Sequence, residues 1–433
     1  MTIPARPVRR SAAFALLFIL LTAALPADEL YSDRGFFIDL PEGFGFTDGD
    51  GKTRFSFASP DGAVQVDMAV YDSTRYPSAQ AASDETAKRI SARIDSTRFR
   101  YAGRDAALGT LSFGSGTGAR KGLAFFLDGK PAAAAGSASA GTASDPGYDL
   151  AVLVYAPASA YARYKDLVES TMDGFSGDYA RRAAPGPVGT AARAALVASR
   201  TADAAVRFGA ATITLPWNPD EGRAAQAIVE REYRVLMPYG SEPDLVEAAI
   251  RRFYRMVWRD SAPSLDRLAL ELSRAWDTGA WAGGPVPGAA TTTTPATPPA
   301  DAVPESRFGT AADPRGFAEA VLRWTQGFRY ERDPAGSDVV NPLSAAFEGR
   351  GDCDSRALVI AIVLRRADIE ALLMLSLVHE HALAAVDAPG AGARFPYRGA
   401  NWLVGETTAP VAIGMIDQEQ SNIEDWMAID FPF

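Results

Sequence analysis

Thiol and imidazole groups are scarce in this chain, and they fall close together. The only cysteine, Cys353, lies in "EGRGDCDSRALVIAIVLRR", and the only histidines, His379 and His381, lie in "EALLMLSLVHEHALAAVD". A lone thiol has no partner for an internal disulfide. It is inert filling, a link to another chain, or a reactive group. Gly349, Gly351 and the acids around them read as a turn, and "SRALVIAIVLRR" reads as a helix. Ala357 to Leu364 are apolar without a break, so this helix should be buried on nearly every side. Arg365 and Arg366 close it, where positive charge suits the helix dipole. Cys353 then sits at the helix start, where free amides and the dipole favour a thiolate. Asp352 and Asp354 oppose that effect, so a further cation should help.

The histidine segment reads as a strand one helix-length beyond the cysteine. Residues two apart on a strand face the same side, so both rings could look at Cys353. The following strand, "NWLVGETTAP", offers Glu406. Thiol, imidazole and carboxylate in that order form a nucleophile–base–orienter set. The imidazole takes the thiol proton, and the carboxylate fixes the ring's tautomer.

With "WTQGFRYERD", the "GRGDCDSRALVIAIVLRRADIEALLML" block, "HALAAVD" and "WLVGETT" together, the stretch from Phe317 to Thr408 resembles the transglutaminase-like superfamily of papain-like cysteine enzymes. The resemblance implies Cys353 as nucleophile, His381 as base and Glu406 as third member. Three positions depart from the family pattern. Asp368 stands where glycine is common, Ala382 and Leu383 where an aromatic is common, and Glu406 where aspartate is frequent. Tyr330 matches an aromatic found near the family's site, but as a core residue it takes no role. The backbone amide of Cys353 is a candidate oxyanion donor, because helix-start amides point at that space. A competing reading makes His379, His381 and Cys353 a zinc site, although no further ligand-spacing motif supports it.

The elements that must carry this site occupy the second half of the chain. An arginine-bearing start and an apolar run from Ala12 to Leu25 make residues 1–27 an expected secretory signal. The mature chain is then expected to be exported, periplasmic or extracellular, with no stable membrane span. Residues 28–180 read as a small α/β module. "FFIDLPEGFGFT", "FRYAGRDA" and the final helix ending in "MDGF" resemble the sandwich of PsbP- and Mog-type proteins, which implies an accessory module. Within it, "SAQAASDETAKRISARI" reads as one helix, "FRYAGRDAALGTLSFG" as one strand, and 132–144 as a flexible hairpin loop. Residues 181–281 read as a Pro/Gly/Ala hinge followed by amphipathic helices. Residues 282–308 read as a Pro/Thr-rich linker, since that composition cannot build a core, and 309–433 as the catalytic core.

The expected fold class is therefore α+β: an N-terminal α/β sandwich, a helical lead-in and a transglutaminase-like domain. The formal net charge of −10 argues against nucleic acid as a partner. The expected activity is acyl transfer on a peptide, protein or cell-wall amide, favouring hydrolysis, with no metal or organic cofactor. The alternative is a catalytically inactive domain of the same family that binds peptide or protein.

Overall fold

The computed structural model describes residues 30–131, 147–196, 200–283, 313–332 and 336–431. The signal, the 132–144 loop and nearly all of the proposed linker lie outside these residues. Among the described residues, no helix is long and apolar enough to cross a membrane.

The N-terminal module is a seven-stranded antiparallel sheet between helices. Its strands run in the order Gly45–Gly49, Arg54–Ala58, Gln65–Asp72, Tyr148–Pro157, Arg120–Pro131, Arg104–Phe113, Arg93–Tyr101. Side chains alternate across a strand, so a strand covered on both faces can be apolar throughout. In the central strands Phe125, Leu127, Val152 and Val154 enter one core, against Val168 and Met172 of helix Tyr161–Asp173. Ala124, Phe126, Ala151 and Tyr155 enter the other, against Ala79 and Ala82 of helix Ala79–Arg89.

Two readings of this module need correction. The helix expected to continue through "SARI" stops at Arg89, Ser91 takes a left-handed φ of 53°, and a strand begins at Arg93. "FRYAGRDAALG" is a hairpin rather than one strand. Ala102 and Gly103, with φ of 53° and 74°, supply the two positive-φ positions that a tight hairpin turn requires.

The expected hinge also forms structure. Pro187–Ala194 is a helix with proline in its first turn, where the missing N–H costs nothing. A hairpin, Ala202–Phe208 with Ala211–Trp217, follows it. The amphipathic segments fold as helices Pro219–Leu236, Val246–Ser261 and Asp266–Asp277. These helices share one hydrophobic core with the cysteine helix, Cys353–Arg366, and Trp258 stacks on Phe431 at 4.3 Å. The second sheet has five antiparallel strands in the order Arg394–Tyr397, Ala400–Gly405, His381–Val386, Ala371–Ser376, Met427–Ile429.

Helix Val246–Ser261 is also the fastening to the N-terminal module. Buried Arg252 donates to the Ser170 hydroxyl at 2.8 Å and lies 3.3 Å from Glu232, while Arg259 reaches the carbonyls of Gly174 and Phe175, each at 3.2 Å. Arg231 pairs with Asp173 at 2.7 Å. Buried charges need such partners, and removing one strands the other.

Candidate active site

The turn before Cys353 is shaped by glycine. Gly351 has φ of 150°, and a Cβ there would lie 2.7 Å from the Ser355 side chain. Asp352 caps the helix by accepting the Ser355 N–H at 2.9 Å and its hydroxyl at 2.5 Å. Segment 329–331 clamps the same turn: Arg329 N–H donates to Gly349 O at 2.8 Å, and Gly351 N–H to Arg329 O at 3.0 Å. The helix that follows is buried from Ala357 to Leu364, as its unbroken apolar run requires. Cys353 is its first residue and is itself buried.

The histidine segment divides differently from the expectation of one strand. Strand Ala371–Ser376 ends before the histidines, Leu377 to Glu380 form a turn, and a second strand begins at His381. Glu380 takes a left-handed φ of 49° within the turn. His379 therefore belongs to the turn, and alternation along a strand does not govern where its ring points. Its Nε2 lies 3.3 Å from Asp425, and its ring packs on Trp426 at 5.8 Å between centroids. The competing zinc set of two histidines and Cys353 does not assemble among the described residues. Among the described residues, the group whose possible metal-ligating atoms come within 4.8 Å of one another is Asp352, Cys353 and Asp354. Those acids have other work, in the helix cap and in a bond from Tyr254.

His381 and Glu406 do meet. Nε2 of His381 lies 2.9 Å from Oε2 and 3.2 Å from Oε1 of Glu406. Glu406 follows strand Ala400–Gly405 and is held from several sides. Its Oε1 accepts the Thr408 N–H and hydroxyl, each at 2.7 Å, and its carbonyl accepts from Gln326 at 2.8 Å. Burial alone would raise this carboxyl. The bond and charge of His381, with the Thr408 donors, outweigh burial and bring it down to about 2. An ionised Glu406 fixes the proton of a neutral ring on Nε2, leaving Nδ1 as the basic nitrogen.

The thiol lies within hydrogen-bonding reach of the backbone N–H of Ala382, the residue after His381. Its side-chain partner is Asp354, whose Oδ2 is 3.7 Å from Sγ. The other oxygen of Asp354 accepts the Tyr254 hydroxyl at 2.6 Å. Burial, then the charges of Asp354 and Asp352, push the thiol well above its ordinary pKa. The helix-start effect expected to favour a thiolate is thus outweighed. The resting group is a thiol, because burial and the two acids all disfavour its ionised form. Burial also raises both acids, and the charge of Asp354 adds to it at Asp352, which is pushed up to about 7.

Sequence reasoning missed Tyr254. It lies about a hundred residues before the cysteine, on a helix with no site-like motif. Tyr330, left without a role, is 55% exposed, with its ring 5.6 Å from the guanidinium carbon of Arg356. Arg356 in turn donates to Thr407 O at 3.1 Å and Phe328 O at 2.7 Å, tying the segments around the site together.

No family model matches this chain, and no curated protein matches it. Its N-terminal region is similar in structure to cyanobacterial PsbP (CyanoP) from Synechocystis sp. PCC 6803. That likeness has 13% sequence identity and a TM-score of 0.26, and covers 35% of this chain and 92% of that one. At that level it carries no argument about function.

Proposed function

We propose that the chain is an exported cysteine enzyme of transglutaminase-like type that performs acyl transfer on peptide or amide bonds, with hydrolysis as the favoured outcome. One observation carries this reading: a histidine at a strand start is paired at 2.9 Å with a buried carboxylate, and the backbone N–H of the next residue reaches a buried thiol at a helix start. Export rests on the residues up to Ala27 alone.

In the proposed reaction the Cys353 sulfur attacks the amide carbonyl carbon, and its proton passes to Nδ1 of His381. The carbonyl electrons move to oxygen, where the helix-start amide of Cys353 stabilises the anion. Collapse breaks the C–N bond, and the leaving amine takes the proton from Nδ1. Water then gives a proton to Nδ1 as its oxygen attacks the thioester. Release of the carboxylic acid returns that proton to sulfur. An amine in place of water would give a new amide. Glu406 holds the ring and stabilises its charged form in both halves.

A second reading, a non-catalytic peptide-binding domain, is favoured by the acids that hold the thiol protonated. A fluorogenic peptide-amide library separates the two. Turnover lost in Cys353→Ala supports the enzyme. No turnover of any member, with binding intact in Cys353→Ala, supports the binding module.

A further inference from the structure

The turn just before His381 exposes two large apolar side chains side by side, Leu377 at 63% and Val378 at 69%. A hairpin tip gains nothing from such exposure, and paired exposed aliphatics mark surfaces that become covered. They line a groove of about 380 Å³. Ile423, 46% exposed, and Trp426 also line it. Trp426 also borders the catalytic pair, with its ring 6.3 Å from that of His381, and its Nε1–H is fixed on Gln420 O at 2.8 Å. Trp426 thus links the groove to the candidate active site.

Its charge is one-sided. Glu247, Glu424 and Asp425 line it, and Arg251 is the one basic residue among its lining. Arg251 is engaged with Glu247 and with the carbonyl of Ala428, an edge-strand residue. Carboxylates thus remain in excess in a groove that also carries exposed aliphatic side chains.

The geometry points to this groove as the subsite for an extended peptide segment of the substrate that carries lysine or arginine beside an aliphatic residue. The inference rests on the acyl-transfer reading for the word substrate, but its binding chemistry does not. The aliphatic side chain packs on Leu377, Val378 and Ile423, and the cation faces Glu424.

The test uses the full chain with Cys353→Ala, so that binding is read without turnover. Two fluorescein-labelled peptides, Gly-Gly-Leu-Lys-Leu-Gly-Gly and its Leu-Glu-Leu counterpart, are titrated by fluorescence anisotropy. The lysine peptide should bind about tenfold more tightly at low salt, with the gap mostly gone near 1 M salt, where screening acts within about 3 Å. Glu424→Lys should erase the preference. Leu377→Ser with Val378→Ser should weaken both peptides about tenfold, and circular dichroism should show an unchanged fold, since both residues are exposed.

Equal binding of the two peptides, or affinity indifferent to the serine substitutions, overturns the inference. So does self-association in sedimentation that the serine variant abolishes, which would assign the groove to a second copy. Charge-selective binding without hydrolysis by the wild type removes the enzyme and keeps the groove. Hydrolysis with charge-blind binding removes the groove and keeps the enzyme.

Discussion

Asp354→Asn is the most informative single change at the thiol. The carboxylate sits 3.7 Å from Sγ and is kept in place by the Tyr254 hydroxyl. A full negative charge at about 4 Å is worth about 4 kcal/mol at an effective dielectric near 20. At about 1.4 kcal/mol per pKa unit, that is about three units. Asp354 is itself raised by burial, which works against that full charge. Removing it should therefore lower the thiol pKa by roughly one to three units. Thiolate nucleophilicity falls with pKa at a slope of about 0.4–0.5, so alkylation near pH 7 should accelerate roughly 3- to 50-fold. The assay is iodoacetamide labelling from pH 5 to 9, read by intact mass. The variant's rate profile should move to lower pH, and Tyr254→Phe should move it the same way by less, because Asp354 is then easier to protonate. Wild-type and Asp354→Asn profiles that coincide, with both proteins folded, would refute the claim that this carboxylate holds the thiol proton.

Three further changes test the rest of the site and its support. Glu406→Gln should slow turnover by roughly a hundredfold while Cys353→Ala abolishes it, because the ring survives with its tautomer less firmly set. Equal loss in both would contradict an orienting role. Asp352 is raised to about 7, so its folded form favours the proton and stability falls as pH rises from the ordinary aspartate range through that value. Asp352→Asn keeps the capping oxygen and should therefore stabilise the fold by about 2 kcal/mol more at pH 8 than at pH 5 in urea unfolding. A gain independent of pH would show that the acid is not buried as described. Arg252→Ala leaves Glu232 with Arg231 and Ser170 but removes one of its two buried cations from the module contact, and should cost about 3–5 kcal/mol. A cost below about 1 kcal/mol would mean the contact is solvated.

How much of this could be read in the chain beforehand differs from element to element. The cysteine helix was legible because Ala357 to Leu364 admit no polar face, and an all-apolar helix can only be central. Glu406 was legible because strand and carboxylate come in order after the histidines. The turn from Leu377 to Glu380 was not. Two adjacent apolar residues inside "LLMLSLVHEH" look like strand continuation, and the break rests on Glu380 adopting a left-handed backbone, which no glycine or proline announces. The split at Ala102 was hidden for the same reason, although Gly103 beside it was a usable signal. The protonated state of the thiol was partly visible, since Asp352 and Asp354 flank it in sequence. The balance against the helix dipole depended on burial and on Tyr254, and both come from tertiary packing.

The central claim is that Cys353 is a nucleophile served by His381 rather than by His379. It is tested most directly by a peptide vinyl sulfone, an electrophile that traps a catalytic thiolate, followed by intact mass and peptide mapping. The account predicts one adduct, on Cys353, forming at a similar rate in the wild type and His379→Ala, and at least about a hundredfold more slowly in His381→Ala. An adduct rate unchanged by His381→Ala, in a protein still folded, would contradict the account and leave Cys353 an ordinary buried thiol.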